Sequence, residues 1–492
     1  MVERRTIATT CTRDCPNTCG LIATVEDGRL VRLTGNPDHP LTRGTACRKA
    51  NTYVKRVYSP ERIVHPMIRE NGRWQRVSWD TALDLVAEKL KAVCRESGPE
   101  AILYYQGYGE RTGLKLLNRY FFNLLGGVTT LRGSLCGGTG QASQNLDFGT
   151  RISHDPLDHY HSQALILWAR NPVSTNISLV PIARDIKKRG GVVVTIDPVR
   201  TKSAALADRH ISVQPGKDLY LALAAAKIIL ANGAEHTAFL NECCSGAEQF
   251  RELLAAKSLQ HLCEQAGVAE KDADYLASTL VDHFPAAILL GWGMHRYQDA
   301  HLSIRAIDAL AAVAGTIGRS GGGVSQGFEE YGPYDQQYWG DHLTPPRRTL
   351  LLPRIGEELL AADQPRIRLI FVTAANPLCM APNSNKVAQA FRKAESVIYS
   401  GHFLDDTADA ADVFFPATTF LEENDVMASY GHNYVGAVNQ AIEPFGECRS
   451  DFQLFAGLAE RFPFADRFCR SSEQWLEDIC APIKAHGCSL QD

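Results

Sequence analysis

Four cysteines near the N-terminus constrain the fold of this chain more than any other feature. Cys11, Cys15 and Cys19 are separated by three residues each, and Cys47 follows alone. A cubane iron–sulfur cluster needs four thiolates around one small core, and a compact loop supplies three of them when a distant segment folds back with the fourth. Structural zinc sites instead draw their ligands as two close pairs. The spacing therefore predicts a [4Fe-4S] cluster, with a zinc site or unliganded thiols as the alternatives.

The composition limits the class of protein. Fourteen cysteines among 492 residues are too few for a disulfide scaffold, and metal-binding thiols explain their clustering better. A formal charge of −4 gives no reason to expect nucleic acid or an anionic membrane as a partner. The longest apolar stretch, 219–231, is too short to cross a bilayer, and no apolar segment follows Arg4-Arg5 as an export signal requires. We therefore expect a cytoplasmic protein without a membrane span.

The pattern of apolar residues predicts an α/β protein of several domains. Two β-rich runs flank Asp27-Gly28, which is typical of a hairpin, and Ser78 is expected to cap a helix. Further along, short apolar strands alternate with helices, as they do in parallel sheets. Strands are expected at 164–168, 192–196, 286–290, 369–373 and 413–415, and helices at 219–231 and 304–314. The fold class is thus α/β with parallel sheets and a small N-terminal iron–sulfur domain rich in β-hairpins.

The length suits about three domains. We expect the iron–sulfur domain at 1–59, the first part of an α/β domain at 60–133 and a dinucleotide-binding α/β domain at 134–325. Residues 326–492 are expected to complete the second, discontinuous α/β domain. A segment near 417–447 is expected to pack on the iron–sulfur domain.

Several predicted strands are followed by the same kinds of residue. Asn171-Pro172 and Asn376-Pro377 each follow a strand, as do Asp197-Pro198 and Gly291. Open α/β sheets bind ligands beyond the carboxyl ends of their strands, although Asn-Pro also serves simply to turn the chain. Neither a GxxxxGK loop nor a GxGxxG that opens a helix is present, so ATP and a simple NAD site are both unsupported. The repeated Asn-Pro turns indicate two nucleotide-like sites.

These motifs, taken in order, resemble the bis-molybdopterin-guanine-dinucleotide oxidoreductases, which include formate dehydrogenases, nitrate reductases, and thiosulfate and polysulfide reductases. The resemblance extends from the cysteines to Glu423 and so covers nearly the whole chain. The motifs that carry it include Tyr58–Arg62, Trp79–Leu83, Asp197–Thr201, Pro215–Asp218, Gly318–Gly323 and Thr407–Pro416.

The resemblance implies two pterin-guanine dinucleotides around one molybdenum or tungsten ion. It places four residues on one dinucleotide: Asn171, Asp197, Arg200 and Asp218. It gives three weaker candidates for contacts near the other: Gly291, Asn376 and Thr407. Lys49 matches the basic residue that the family has between cluster and pterin, and we expect it to act in catalysis by assisting electron transfer.

Most members of the family also bind the metal through one protein side chain. The matching segment here is Gly133–Gly140, and we favour Cys136 as the ligand, with Ser134 as the nearby rival. A thiolate suits a soft, sulfur-rich metal centre, and flanking glycines let the backbone approach a bulky cofactor. The alternative is that Cys136 is simply a buried cysteine.

The resemblance implies an oxidoreductase that passes electrons between a metal-bound substrate and the cluster. Gly137 stands where formate dehydrogenases usually have His, which leaves a sulfur oxyanion, polysulfide or small organic molecule as substrate. One alternative is a non-catalytic electron-transfer subunit, like the large iron–sulfur subunit of respiratory NADH dehydrogenase, or a truncated fragment. A second is a tungsten hydratase, although acetylene hydratase has Asp after its second cluster cysteine, where this chain has Pro16 and only Asp14 precedes Cys15.

The expected partners are an iron–sulfur or other redox protein, with no nucleic acid and no membrane. Relatives usually continue into a C-terminal β-barrel domain over the dinucleotides. We expect this chain to lack that domain and a separate chain to supply it. Five histidines are candidate acid–base groups: His154, His159, His161, His295 and His432.

Overall fold

The computed structural model describes residues 2–151, 153–344 and 348–487. A three-stranded antiparallel sheet at the N-terminus, in the order β1-β2-β3, carries the cysteine loop. Its strands and the two short helices that follow are β1 (Arg4–Thr10), β2 (Gly20–Glu26), β3 (Arg29–Gly35), α1 (Arg48–Asn51) and α2 (Tyr53–Val57).

A five-stranded sheet, entirely parallel, has the order β10-β9-β8-β11-β12. Its strands are β8 (Ala164–Trp168), β9 (Val192–Ile196), β10 (Arg209–Ile211), β11 (Ala286–Leu290) and β12 (Gly323–Ser325). Its helices are α5 (Gly138–Phe148), α6 (Pro172–Thr175), α7 (Leu179–Lys188), α8 (Asp218–Ala231), α9 (Thr237–Cys243), α10 (Ala247–Ala255), α11 (Leu259–Ala266), α12 (Glu270–Asp282) and α13 (Ala300–Val313). Every residue of β8 and β11 is buried, which explains their continuous apolar runs.

A six-stranded sheet has the order β5-β4-β16-β15-β14-β6, with β4 and β5 antiparallel at one edge. Its strands are β4 (Met67–Glu70), β5 (Arg73–Arg76), β6 (Ile102–Gln106), β14 (Leu369–Thr373), β15 (Ser396–Gly401) and β16 (Val413–Pro416). Its helices are α3 (Trp79–Ser97), α4 (Leu116–Leu124), α14 (Ile355–Ala361), α15 (Pro377–Met380), α16 (Ser384–Lys393), α17 (Asp451–Ala459), α18 (Ala465–Phe468), α19 (Ser472–Ile479) and α20 (Ala481–Lys484). Strands from two distant parts of the chain thus share one sheet, while the domain limits stay a prediction.

Two small sheets complete the fold: β7 (Thr130–Arg132) with β13 (Thr349–Leu351), and β17 (Asp425–Ala428) with β18 (Val435–Val438). Residues around β17 and β18 lie against the N-terminal sheet, where Phe420 and Met427 share an apolar core with Leu21 and Val25. The backbone N–H of Asn439 also donates to Thr9 Oγ1 at 3.1 Å. No helix in the described ranges is both long and apolar enough to span a bilayer.

The predicted α/β class is confirmed, and the strands at 164–168, 192–196, 286–290 and 369–373 have the bounds that the sequence indicates. Helix α3 begins as expected, because the Ser78 side chain accepts a hydrogen bond from the N–H of Thr81 at 3.1 Å. Their continuous apolar runs were therefore the signal that indicated these strands.

A buried ion pair fastens the end of the iron–sulfur region to the segment that contains β17. Arg62 and Glu422 are joined by two hydrogen bonds, of 3.1 and 2.7 Å, and both side chains are inaccessible to solvent. Arg62 also donates to the carbonyl oxygens of Val57 and Ala417, while Glu422 accepts from the N–H of Phe445. Each charge is thus compensated, which a buried charge requires.

We predict that Glu422→Ala lowers the free energy of unfolding by about 3–5 kcal/mol, because it leaves the Arg62 guanidinium buried without its counter-charge. Denaturant titration of the purified protein measures this. The exposed pair of Glu88 and Lys91 is the matched control, and Glu88→Ala should cost less than about 1 kcal/mol. Equal losses in the two variants would contradict a special role for the buried pair.

Candidate functional site

The N-terminal sheet brings the ends of the cysteine loop together. Cys11 follows β1 directly and Cys19 precedes β2, and the N–H of Cys11 donates to the carbonyl oxygen of Cys19 at 2.9 Å. Cys47 stands at the N-terminus of α1, and the iron–sulfur region's apolar core includes Cys11 and Cys19, with Cys47 packed against it. Strand pairing therefore fixes two thiols, and a helix that packs on the same sheet supplies the distant one.

The four thiols lie close enough to influence one another's ionisation. Burial is the main cause that raises the pKa of Cys11 to about 12, and the neighbouring Cys15 and Cys47 contribute to this shift. Burial is also the main cause of the raised pKa of Cys19, with contributions from the other three cysteines. Such thiols ionise only when a cation compensates them, so the site fits a positively charged metal cluster.

Among residues 2–151, 153–344 and 348–487, no three His, Cys, Asp or Glu side chains converge on a single metal ion. A four-iron cube does not require such convergence, because each of its four thiolates binds a different iron atom.

Cys136 lies in the loop between β7 and α5 and lines a cavity of about 310 Å³. Its thiol is partly buried, and burial raises its pKa. The N–H of Cys136 donates to Ser134 Oγ at 2.9 Å, so the hydroxyl of the rival ligand is engaged by its own loop. Arg296 donates to the carbonyl oxygen of Cys136 at 2.7 Å and holds the loop from the other side.

The charged groups around this cavity neutralise one another. The buried Arg111 pairs with both Asp14 and Glu330 at 2.8 Å, and Arg151 pairs with Glu330 at 3.2 Å and with Glu329 at 3.5 Å. Because Asp14 immediately precedes Cys15, the same cavity adjoins the cysteine loop. The thiol of Cys136 and the loop of the predicted cluster therefore face a shared space.

A hydrogen-bonded turn follows β8 at the carboxyl end of the five-stranded sheet. Ser203 Oγ donates to Asn171 Oδ1 at 2.5 Å and accepts from the N–H of Val173 at 3.2 Å. Ala169, two residues before Asn171, has a positive φ of 51°. The asparagine amide is thereby held at the sheet edge, where ligands of open α/β sheets bind.

The six-stranded sheet repeats this arrangement after β14. Thr407 Oγ1 donates to Asn376 Oδ1 at 2.7 Å and accepts from the N–H of Leu378 at 3.2 Å. Ala374, again two residues before the asparagine, also has a φ of 51°. The two Asn-Pro turns thus have matching hydrogen bonds in two different sheets. Ser203, which takes part in the first turn, was not among the predicted site residues.

The two predicted carboxylates of the first sheet lie near each other. Burial raises the pKa of Asp218, the charge of Asp197 adds to this effect, and the indole N–H of Trp168 donates to Asp218 at 2.8 Å. Asp197 accepts from the N–H of Val199 at 2.9 Å. Arg200 is exposed. The structure therefore places Asp197 and Asp218 at one edge, with Arg200 on the surface beside them.

Gly291 was grouped with Asn376 and Thr407 from the sequence, but those two residues are associated with the six-stranded sheet. It follows β11 in the five-stranded sheet, and a Cβ at this position would approach the carbonyl oxygen of Ala169 to 1.7 Å. Gly107 has the same relation to Ala374 in the other sheet. Gly291 thus belongs to the five-stranded sheet, because neighbouring strands in a parallel sheet are not neighbours in sequence, and the dinucleotide that it would contact stays a prediction.

Two cations approach the cysteine loop. Lys49 is exposed on α1, and its charge lowers the pKa of Cys15 against the raising effect of burial. Burial lowers the pKa of Arg170, while Tyr430 and Cys15 oppose this. Sequence reasoning missed a role for Arg170, although its place in Ala-Arg-Asn-Pro at a strand end is a signal.

Of the five candidate histidines, His295 lies beside Arg296 and Arg151, and Arg151 lines the cavity. It is buried, and burial is the main cause that lowers its pKa to about 4. Neither ring nitrogen has a hydrogen-bond partner in the described residues. His432 Nε2 instead contacts the Asn17 carbonyl oxygen at 2.9 Å.

Several buried polar atoms near the two sites lack partners within the described part of the chain. They include Trp292 Nε1, whose residue lines the cavity, and Arg170 Nε, one residue before Asn171. Buried donors are rarely left unsatisfied in native proteins. Together with the Cys136 thiol and the paired Asn-Pro turns, they fit a large polar cofactor that carries hydrogen-bond acceptors and a soft metal.

The comparisons with known proteins agree with this site. Residues 62–461 match the molybdopterin oxidoreductase family, and residues 4–59 match the molybdopterin oxidoreductase Fe4S4 domain. The chain belongs to the molybdopterin oxidoreductase family. Its cofactors are accordingly a [4Fe-4S] cluster and a molybdenum or tungsten bis-pterin, and it is an oxidoreductase.

Among its relatives are two probable oxidoreductases of Bacillus subtilis (strain 168). It is 36% identical to YyaE, over 98% of this chain and 72% of the relative, and 32% identical to YoaE, over 95% and 70%. Acetylene hydratase from Pelobacter acetylenicus has a similar structure, with a TM-score of 0.83 over 98% of this chain and 72% of the other, at 21% identity. Likeness at that identity shows the fold alone and does not favour the hydratase alternative.

Behind the cysteine loop lies a group of buried carboxylates around one lysine. Thr12, next to Cys11, donates to Glu110 at 3.1 Å, and Lys115 pairs with Glu110 at 3.1 Å and with Asp451 at 2.8 Å. Burial is the main cause that raises the pKa of Asp425 to about 7, and Glu110 contributes to this shift. Glu423 has a raised pKa for the same two reasons. One lysine cannot neutralise this group, so part of it holds protons at neutral pH.

We predict that Asp425 gives the protein a pH-dependent stability. The folded state holds its proton up to about pH 7 and the unfolded state only up to about pH 4, so the free energy of unfolding falls as pH rises between these values. Asp425→Asn should remove up to roughly 4 kcal/mol of this fall. Denaturant titrations across the pH range measure it, with the exposed Asp282→Asn as control. Parallel curves for Asp425→Asn and the natural protein would contradict the assignment.

Proposed function

We propose that this chain exchanges electrons between a small substrate, bound at a molybdenum or tungsten ion held by Cys136, and a [4Fe-4S] cluster held by Cys11, Cys15, Cys19 and Cys47. One observation carries the proposal: the Cys136 thiol and the cysteine loop face the same cavity, through Asp14. The proposed metal ligand and the proposed cluster loop would then border one cavity, which supports electron exchange between the two groups.

Residues at the strand ends of the two large sheets would hold the cofactor. Asn171, Asp197, Arg200 and Asp218 would bind one dinucleotide, and Asn376 and Thr407 the other. Gly291, after β11, would serve the first set. When bound, the metal centre supplies two-electron chemistry with the substrate. Hydrogen-bonded strand-end turns suit the task of orientation because their side chains are fixed before binding.

The cations near Cys15 would support electron transfer. Lys49 and Arg170 both lie within electrostatic range of that thiol. Positive charge beside an iron–sulfur cluster favours its reduced, more negative form and so raises its potential. We propose that Lys49 stands between cluster and pterin, and that Arg170 acts on the same thiolate from the five-stranded sheet.

The charge balance of the cavity favours a small, uncharged polar organic substrate. Both cavity arginines, Arg111 and Arg151, are already paired with carboxylates, so an anion would have to compete for them. The metal centre would itself occupy part of this cavity of about 310 Å³, which leaves room only for a small substrate. A sulfur oxyanion or polysulfide is the second candidate, because burial and Glu330 raise the pKa of Glu329 and its protonation would leave Arg151 more available.

We predict that Cys136→Ala lowers dye-linked turnover by more than about 100-fold, beyond the effect typical of an outer-shell partner. The iron content, about four per chain, and the paramagnetic signal of the reduced cluster should stay unchanged. Metal analysis of anaerobically purified protein provides the second readout, with less molybdenum or tungsten retained. The exposed Cys243→Ala is the control. Full activity of Cys136→Ala would exclude the thiol as the metal ligand.

The substrate proposal is tested with a panel of compounds. Reduced viologen is supplied with dimethyl sulfoxide, trimethylamine N-oxide, nitrate, thiosulfate or tetrathionate, and oxidised dye is supplied with small alcohols and aldehydes. We expect kcat/KM for an uncharged organic compound to exceed that for every anion by about tenfold or more, since an anion must displace a buried ion pair. A preference for thiosulfate or tetrathionate would overturn the proposal in favour of the second candidate.

A further inference from the structure

The iron–sulfur domain carries a strongly basic surface in a chain that is acidic as a whole. Residues 29–58 contain seven lysines and arginines and a single aspartate, Asp38, for a formal charge of +6. Since the whole chain carries −4, the remainder carries −10. Lys49 is proposed to face the pterin, and the other six basic side chains, here called the basic surface, are all exposed: Arg29, Arg32, Arg43, Arg48, Lys55 and Arg56.

The charges of the basic surface are not compensated within the described part of the protein. The ion pairs of residues 2–59 there are Arg4 with Glu26 and Asp14 with Arg111, and neither includes a member of the basic surface. The contacts that its members do make are with neutral groups, as when Arg56 meets the ring of His402 and Arg29 lies over that of Tyr58. The nearest carboxylates along the chain are Glu26, Asp27, Asp38 and Glu61. A positive field therefore extends into solvent from this face.

The basic surface also lies directly outside the predicted cluster. Helix α1 begins immediately after Cys47, and the buried residues of α1, α2 and β3 share one apolar core with Cys11 and Cys19. The inner faces of these elements thus enclose the cysteine loop while their outer faces carry the arginines and lysines. A protein docked here is held on the side of the molecule closest to the cluster, and electron transfer weakens steeply with distance.

We propose that the basic surface docks a small acidic protein that carries one electron at a time, and that this carrier exchanges electrons with the cluster. The inference rests on the proposed function, because it takes the cluster as the point where electrons enter or leave. Each docking event moves one electron, with one group oxidised and the other reduced and no proton transferred. One two-electron turnover therefore uses two carrier molecules.

Charge complementarity favours a compact carrier over a larger polyanion. An anionic membrane or a nucleic acid is extended and would meet the remaining −10 of the chain as well as the basic surface. A small acidic protein covers only the positive face and is repelled from the rest. Opposed potentials of this kind speed the encounter and fix the docking orientation.

The test compares an acidic [2Fe-2S] ferredoxin with methyl viologen as electron donors to the holoprotein. The variant is Arg32→Glu with Lys55→Glu, two exposed members that form no ion pair and lie outside the catalytic machinery. Its kcat/KM with the ferredoxin should fall about tenfold or more at low ionic strength, because steering is lost. Its rate with methyl viologen, its iron content and its thermal stability should match the natural protein. High salt should abolish the difference between variant and natural protein.

The control is Lys271→Glu with Lys393→Glu, an equal change of charge at exposed lysines of α12 and α16. It should leave the ferredoxin rate unchanged. Equal effects of the two double variants, or a rate in the natural protein that does not respond to salt, would overturn the proposal. So would tighter binding to phosphatidylserine vesicles than to the ferredoxin.

Direct binding separates this inference from the proposed function. Calorimetry of oxidised ferredoxin with oxidised holoprotein requires no turnover. Binding that Arg32→Glu/Lys55→Glu weakens, in a protein that turns over no substrate with any donor, would support the docking surface and overturn the proposed function. Turnover that persists while binding is unaffected by the variant would overturn the docking surface alone.

Discussion

Buried thiols that lie within reach of one another cannot all lose their protons unless positive charge is placed among them. Burial holds the pKa of Cys11, Cys15 and Cys19 high, and at least one neighbouring cysteine contributes to each of these shifts. The N-terminal sheet pays the conformational cost of assembling them, through pairing of β1 with β2 and packing of α1 on β3. The rest of the site is arranged around this loop, because Asp14, which precedes Cys15, reaches the cavity of Cys136.

The two large sheets have the same arrangement of residues at the strand ends that are proposed to bind the cofactor. Each has a strand, an alanine of positive φ, an asparagine, and a hydroxyl that bonds the asparagine oxygen and a backbone N–H. Gly291 and Gly107 let the adjacent strand end approach closely. In parallel sheets all carboxyl ends share one edge, so a single local solution can be used once in each sheet.

Charge is distributed differently on the surface and in the interior. Inside the cavity, Arg111 and Arg151 are balanced by carboxylates, which creates a polar but nearly neutral space. On the outside, the basic surface is left uncompensated beside the cysteine loop. Behind that loop, Asp425 and Glu423 hold protons because desolvation opposes their ionisation. In the functions proposed above, recognition of a partner, choice of substrate and stability thus depend on three separate groups of charges.

Secondary-structure elements with local signals were predictable from the sequence. Apolar runs indicated β8, β9, β11 and β14, and Ser78 marked the start of α3, because burial and capping depend on residues a few positions apart. Cysteine spacing and the repeated Asn-Pro turns pointed to the two kinds of site. Three contacts became apparent only in the folded protein. They are the hydrogen bond of Ser203 to Asn171, the ion pair of Asp14 with Arg111 and the close approach of Gly291 to Ala169. Such contacts join residues far apart in the chain, and their geometry is set by strand order and packing, which no local pattern encodes.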